Sequence, residues 1–456
     1  MSLLQRLYMI VLNTLFKVTG RISEKVRDAA VVVLIAAIEL VSMLFNYWGK
    51  INGDSFGYKE LFLVNTGLLC LVILFSVKEE LKPVAWKKLL FYTWFIVGIL
   101  VALPIPDMAG RGTFIMFGGL ISFIFPAFYF VWNNRGDYGK LYRMVAIATV
   151  IAGAIFFIKC FLEVPFDTTA AYEGITDNSN SIGIASIGGS IASLALICTE
   201  GRWKYLFMAC FGVFLTFTWI SESRASLLAI MLAGAAFVIG IIRSTRNDGE
   251  NIIKALASIL ILAVMTGAII VGLTKVMTRE EPFVVNSKLQ TVLDMEDQDI
   301  PSAAEDDEDL DGMVDKFSKG DGTIEQLSSG RIDIWKYYIK HIGIAGHSRA
   351  NGDPYIKERH KTAAAHNTYL EISYRSGIIP GVLYGCIAVY AAIWCFAYLF
   401  GKRKPFDKSI ILVVLAVFAF GVMSNLERAV YPIEKVHILL YFLALAPMFE
   451  SKKANN

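Results

Sequence analysis

The chain has 456 residues, of which 55% are hydrophobic and 18% charged, and its formal net charge is +3. Its mean hydropathy is +0.55. A soluble chain of this length carries more charge and fewer long apolar runs, and here the runs recur from end to end, which excludes a soluble domain with one anchor.

Residues 1–28 open with a helical stripe of Leu3, Leu4, Leu7, Val11 and Leu15 beside Arg6, Lys17, Arg21, Lys25 and Arg27. This reads as an interfacial amphipathic helix on an anionic leaflet and not as a cleaved signal. A membrane span needs about 20 mostly apolar residues, and continuous rather than alternating runs mean helices. Candidate spans fall at 29–47, 60–77, 89–105, 113–132, 143–162, 180–199, 205–220, 225–242, 252–273, 377–400, 409–424 and 437–449. The expectation is an all-α polytopic membrane protein of about 12 transmembrane helices. About nine lie in 29–273 and about three in 377–456, on either side of one large loop at 274–376.

Lys and Arg set the orientation. With the N-terminus inside, the inner segments carry 23 of these residues and the short outer loops six (Lys50, Lys59, Arg111, Arg224, Arg428 and Lys435). The large loop then lies outside. Its part 294–327 is acidic and poor in apolar residues, which predicts flexibility; its part 328–376 has aromatic and basic residues and reads as folded. All six cysteines sit in apolar runs, so they read as packing residues.

Four segments could carry chemistry. Residues 176–181 read Thr-Asp-Asn-Ser-Asn-Ser, with Asn180 at the opening of a span, and read by themselves as a cap. Residues 221–226 read Ser-Glu-Ser-Arg-Ala-Ser and place Arg224 at the outer surface, where a charge marks a ligand site by default. In Ser-Gly-Arg-Ile-Asp-Ile-Trp, residues 329–335, Arg331 shares a helix face with Trp335 and Tyr338. A guanidinium beside aromatic rings suits a phosphate or a sugar. His366, Asn367 and Tyr369 lead directly into the span at 377; an imidazole there can act as a general base. Separately, Asp307, Asp309, Asp311 and Asp315 match the first half of a calcium loop, but Ser318 stands where a bidentate Glu belongs. A solvated acidic linker is the preferred reading, and no metal or other cofactor is expected.

Together these segments resemble the O-antigen ligase and O-antigen polymerase superfamily of membrane glycosyltransferases. The resemblance rests on the number of spans, the late outer loop, Arg224 after a serine at a span entrance, the Ser-Gly-Arg…Trp segment at 329–335, and His-Asn-x-Tyr-Leu…Gly-Ile-Ile at 366–379. It implies a GT-C-type fold in the bacterial inner membrane with the active site on the extracytoplasmic face. It implies His366, Arg331 and Arg224 as catalytic residues, with Trp335, Tyr338, Asn367, Tyr369 and Asn180 near the substrate. The donor would be a glycan on undecaprenyl diphosphate and the acceptor a hydroxyl of a glycan, glycolipid or wall polymer, joined by metal-independent inverting transfer. Ligase and polymerase differ only in acceptor and are not separated. Tyr374-Arg375 departs from the family, where an acidic residue is common. The alternative is a transporter or flippase for a lipid-linked glycan. Spans nearly free of charge and the absence of internal repeats favour the enzyme, and nothing points to nucleic acid.

Overall fold

The computed structural model describes residues 3–52, 58–77, 93–94, 96–100, 137–176, 178–245, 249–286, 331–347, 365–401, 407–427 and 437–449. The expected spans at 113–132 and most of 89–105, the acidic segment 294–327 with Asp307, Asp309, Asp311 and Asp315, and Asp177 lie outside these residues.

Among the described residues every regular element is helical. The helices are α1 (Leu3–Thr19), α2 (Glu24–Met43), α3 (Phe45–Asn52), α4 (Tyr58–Ser76), α5 (Tyr138–Glu163), α6 (Ser179–Thr199), α7 (Lys204–Ile220), α8 (Arg224–Thr245), α9 (Gly249–Met277), α10 (Arg331–His341), α11 (Thr368–Ser376), α12 (Ile378–Phe400), α13 (Ile411–Leu426), α14 (Ile438–Ala444) and α15 (Ala446–Phe449). Among the described residues six helical stretches are long and apolar enough to cross a membrane: Tyr138–Glu163, Ser179–Thr199, Arg224–Thr245, Asn251–Met277, Ile378–Phe400 and Lys408–Leu426. Four shorter ones, Met9–Thr19, Leu63–Ser76, Lys204–Ile220 and Leu439–Phe449, are also apolar. The chain is a multi-pass helical membrane protein. The expected span at 29–47 is α2, which breaks at Leu44 before α3. The expected span at 437–449 is two short helices with a break at Leu445.

The bundle is organised around α6. Its stretch is 89% buried, against 11% for α9 at the rim, and it packs on α5, α7, α8 and α13. The reason is compositional. Gly183, Ser186, Gly188, Gly189, Ser190 and Ser193 keep the helix thin, so neighbours approach closely, which is how helices associate in lipid without a hydrophobic driving force. A methyl group at Gly188 would meet the ring of His437 at 2.3 Å. At the rim, α9 turns Ile253, Leu260, Val264 and Val271 outward, each more than half exposed, as a lipid-facing helix does.

One buried polar cluster departs from the expectation of nearly charge-free spans. Glu39 of α2 accepts a hydrogen bond from Thr149 of α5 at 3.0 Å, and its other oxygen lies 3.3 Å from Nδ1 of His437. The second nitrogen of His437 is 3.0 Å from the carbonyl of Ala185. Both side chains are essentially buried. The pairing joins α2, α5, α6 and the start of α14, a pattern that helical periodicity does not reveal.

The two ends of the bundle are distinguished by contacts. Arg243, in the last turn of α8, donates to the carbonyls of Tyr398 and Gly401 at the end of α12. These are orphan carbonyls of a helix C-terminus, where a cation is favoured. The starts of α8 and α12 therefore share the opposite end. There Ser223, just before α8, donates to Oδ1 of Asn180 at 2.9 Å, so α6 begins at that end too. With 22 residues, α8 spans about 33 Å at 1.5 Å per residue, enough for a hydrocarbon core of about 30 Å.

Candidate active site

The site assembles where α13 runs out. Its last carbonyls have no intrahelical partner, and three side chains from elsewhere supply donors. Arg331 at the start of α10 donates from Nη1 to the carbonyl of Leu426 at 2.7 Å. Asn367 donates from Nδ2 to that of Asn425 at 3.0 Å, and Thr368 from its hydroxyl to that of Glu427 at 3.2 Å. The partial negative charge of a helix C-terminus favours the guanidinium in particular. Asn367 also caps α11, its Oδ1 accepting from the amides of Tyr369 and Leu370 at 3.0 Å each. It is both the cap that the sequence suggests and a tie to α13.

Glu427, the first residue past α13, joins the two most prominent sequence candidates. Its Oε1 accepts from Nη2 of Arg331 at 2.6 Å, and its Oε2 lies 2.8 Å from Nδ1 of His366. The carboxylate is 7% exposed and the histidine and arginine side chains 22% each. Carboxylate oxygens accept, so this contact suits the neutral tautomer of His366 that carries its hydrogen on Nδ1 and its lone pair on Nε2. His366 stands in the left-handed region at φ 45. That conformation is costly for a non-glycine residue and is held by its surroundings.

A small apolar core of Ile334, Tyr338, Ala365 and Tyr374 holds α10 against α11. Tyr338 is fully buried, its ring 4.7 Å from that of Tyr374, so it packs the site and offers no surface. Trp335 donates its indole N–H to the carbonyl of Ala365 at 2.8 Å, which fixes the residue preceding His366. Below these, Glu371 is completely buried. It pairs with Arg375 at 2.6 Å and accepts from the amide of Ala365 at 2.9 Å. The arginine that departs from the family pattern thus neutralises a buried carboxylate on its own helix. The turn into α12 needs Gly377, at φ 99, because a Cβ there would lie 2.1 Å from the carbonyl oxygen of Ile344. His347 stacks on Tyr374 at 4.9 Å and does not touch Glu427. His360 is outside the described residues.

Arg224 opens α8 at the same end of the bundle, with its side chain exposed. Asn180 lies beside the α8 entrance through Ser223, whose hydroxyl is also 2.8 Å from that of Ser226. Tyr369 faces a different feature. It and Asn425 line an apolar groove of about 540 Å³ between α8, α12 and α13, together with Leu232, Gly385, Ala388 and Gly421. Among the described residues no three His, Cys, Asp or Glu side chains gather as metal ligands.

The described residues define a multi-pass helical membrane protein in which Glu427 bridges His366 and Arg331 at the same end of the bundle as Arg224, beside an apolar groove. Residues 205–385 match the family described as O-antigen ligase, and this supports the place of the chain in the O-antigen ligase and polymerase superfamily. At the level of that family the activity is glycosyl transfer in surface-polysaccharide biosynthesis, with lipid-linked glycan and acceptor substrates. The matched segment holds Arg224, Arg331 and His366 but neither Asn180 nor Glu427. No curated protein and no solved structure matches the chain.

Sequence reasoning passed over Glu427. A glutamate directly after an apolar run was the available signal, because it is as conspicuous there as Arg224 is before one.

Proposed function

We propose that this protein transfers a glycan from undecaprenyl diphosphate to an acceptor hydroxyl on the extracytoplasmic face of the bacterial inner membrane, with inversion and without a metal. The observation that carries this reading is the bridge of Glu427 between His366 and Arg331. Glu427 orients the imidazole so that Nε2 takes the acceptor proton as the hydroxyl oxygen attacks the anomeric carbon. The bond from that carbon to the phosphate oxygen breaks, and the diphosphate leaves with its electron pair. Arg331 keeps donors beyond the two it spends on Leu426 and Glu427, since a guanidinium has five. With Arg224 it neutralises the leaving group through charge-assisted bonds. The groove under Tyr369 and Asn425 suits an apolar polyprenyl tail, which would bring the diphosphate to the surface where these residues stand. Whether the acceptor is a second lipid-linked repeat or another glycan decides between polymerase and ligase.

The test is transfer by purified protein from undecaprenyl-diphosphate glycan to candidate acceptors in the presence of EDTA. Product formation by the wild type, abolished in His366→Ala with donor binding retained, supports the reading. Activity that depends on added magnesium or manganese, or full turnover by His366→Ala, overturns it.

A further inference from the structure

The buried pair of Glu39 and His437 takes no part in the transfer proposed above, yet three helices build a socket for it. His437 stands in the left-handed region at φ 63, a conformation that persists in a non-glycine residue only where its surroundings over-determine it. From α6, Gly188 leaves the space that the imidazole fills, and the carbonyl of Ala185 meets Nε2 at 3.0 Å. A carbonyl only accepts, so this contact suits a hydrogen on Nε2. From α2, Glu39 meets Nδ1 at 3.3 Å, and α5 holds that carboxylate through the hydroxyl of Thr149 at 3.0 Å. Ionisable groups inside a membrane bundle are costly to bury and by default mark a function.

What the socket fixes is the start of α14. One turn on, the amide of Tyr441 donates to the carbonyl of His437 at 3.0 Å. Phe420 of α13 touches both side chains, its ring 6.2 Å from that of His437 and 5.8 Å from that of Tyr441. Tyr441 in turn lines the apolar groove that Tyr369 and Asn425 also line. Direct contacts therefore run from Glu39 through His437 to one wall of the groove.

We infer that Glu39 and His437 are positioning residues for this groove: they set the register of α14 so that the ring of Tyr441 packs against the hydrocarbon tail of a polyprenyl diphosphate. The inference rests on the assignment of the groove to that tail, made above, and not on the chemistry at His366.

The test reads binding, so it does not depend on transfer. The full chain in detergent is titrated with undecaprenyl diphosphate and with isopentenyl diphosphate, which carries the same headgroup on almost no tail. The wild type is expected to bind the long lipid more tightly. Glu39→Leu leaves Nδ1 of His437 without its partner and should weaken undecaprenyl diphosphate about tenfold, the packing of about two methylene groups, with isopentenyl diphosphate unchanged. Tyr441→Ala should lose the same margin, and Glu39→Leu combined with Tyr441→Ala should lose no more than either alone, because one contact is removed twice. Glu39→Gln should bind as the wild type does, since its amide can donate to Nδ1 and still accept from Thr149. A Glu39→Leu protein that keeps the wild-type margin, or additive losses in the double variant, would overturn the inference. Equal loss of both diphosphates would reduce the pair to a general structural role and overturn it as well. A wild type that binds both diphosphates equally would take the tail out of the groove and overturn it too, while the transfer chemistry stands or falls by its own assay.

Discussion

Replacing Glu427 with Gln keeps the length of the side chain and removes its charge. Arg331 has only donors, so the amide oxygen must turn to it, and the amide NH2 then faces Nδ1 of His366, which lies 2.8 Å from the carboxylate in the native protein. An NH2 there obliges Nδ1 to accept, and the ring hydrogen moves to Nε2. The nitrogen offered to the acceptor hydroxyl then has no lone pair. The expected loss is that of a general base, about 10²- to 10⁴-fold in turnover, equivalent to about 3–5 kcal/mol at 1.36 kcal/mol per decade. Binding of the donor should change little, because the tautomer of His366 does not contact the diphosphate. The assay is single-turnover transfer across a pH series, with donor retention and melting temperature measured on the same preparation. Glu427→Asp, which keeps the charge but not the reach, should recover part of the rate. Turnover by Glu427→Gln within about threefold of the wild type, at unchanged stability, would refute the assignment of Glu427 as the group that orients the base.

Arg331→Lys should remain folded yet lose most transfer, because an ammonium cannot meet the carbonyl of Leu426, the carboxylate of Glu427 and a phosphate with one planar fork; near-complete rescue of an Arg331→Ala defect by Lys would count against this. Gly377→Ala should destabilise the α11–α12 turn by several kcal/mol, since φ is 99 and the new methyl would strike the carbonyl of Ile344, and a melting temperature equal to the wild type would disprove the strain. For orientation, in a cysteine-free background, Ala170→Cys in the exposed α5–α6 connection should react with an impermeant thiol reagent in intact cells. Ser244→Cys near the end of α8 should react only after permeabilisation, and the reverse pattern would put the site on the cytoplasmic face.

The helices were legible where one signal dominates. The apolar runs at 143–162, 180–199, 225–242, 252–273, 377–400 and 409–424 correspond to the six long apolar stretches, and the break before Arg224 falls where Ser-Glu-Ser interrupts hydrophobicity. His366 and Arg331 stood out because polar residues at a membrane surface are conspicuous. What joins them was not legible. Glu427 lies 61 residues from His366, and no period or spacing connects a helix C-terminus to a distant imidazole. Tyr338 and Trp335 share a helix face with Arg331, but side-chain periodicity does not say whether a face meets ligand or core. Here the face of Tyr338 closes on Tyr374. Glu39, inside the apolar run at 29–47, likewise gives no sign of its partner, because His437 arrives from the far end of the chain.

The cap that Arg243 places on the last carbonyls of α12 has a mechanical consequence. It fastens α8 to α12 at that end, while further along the seam Gly385 and Ala388 set small side chains in the groove that Leu232 also lines. Two rods fastened at one end open like tweezers at the other. A long hydrocarbon sliding sideways into this seam from the bilayer would meet the least resistance at the tips, which is where Tyr369 and Asn425 stand.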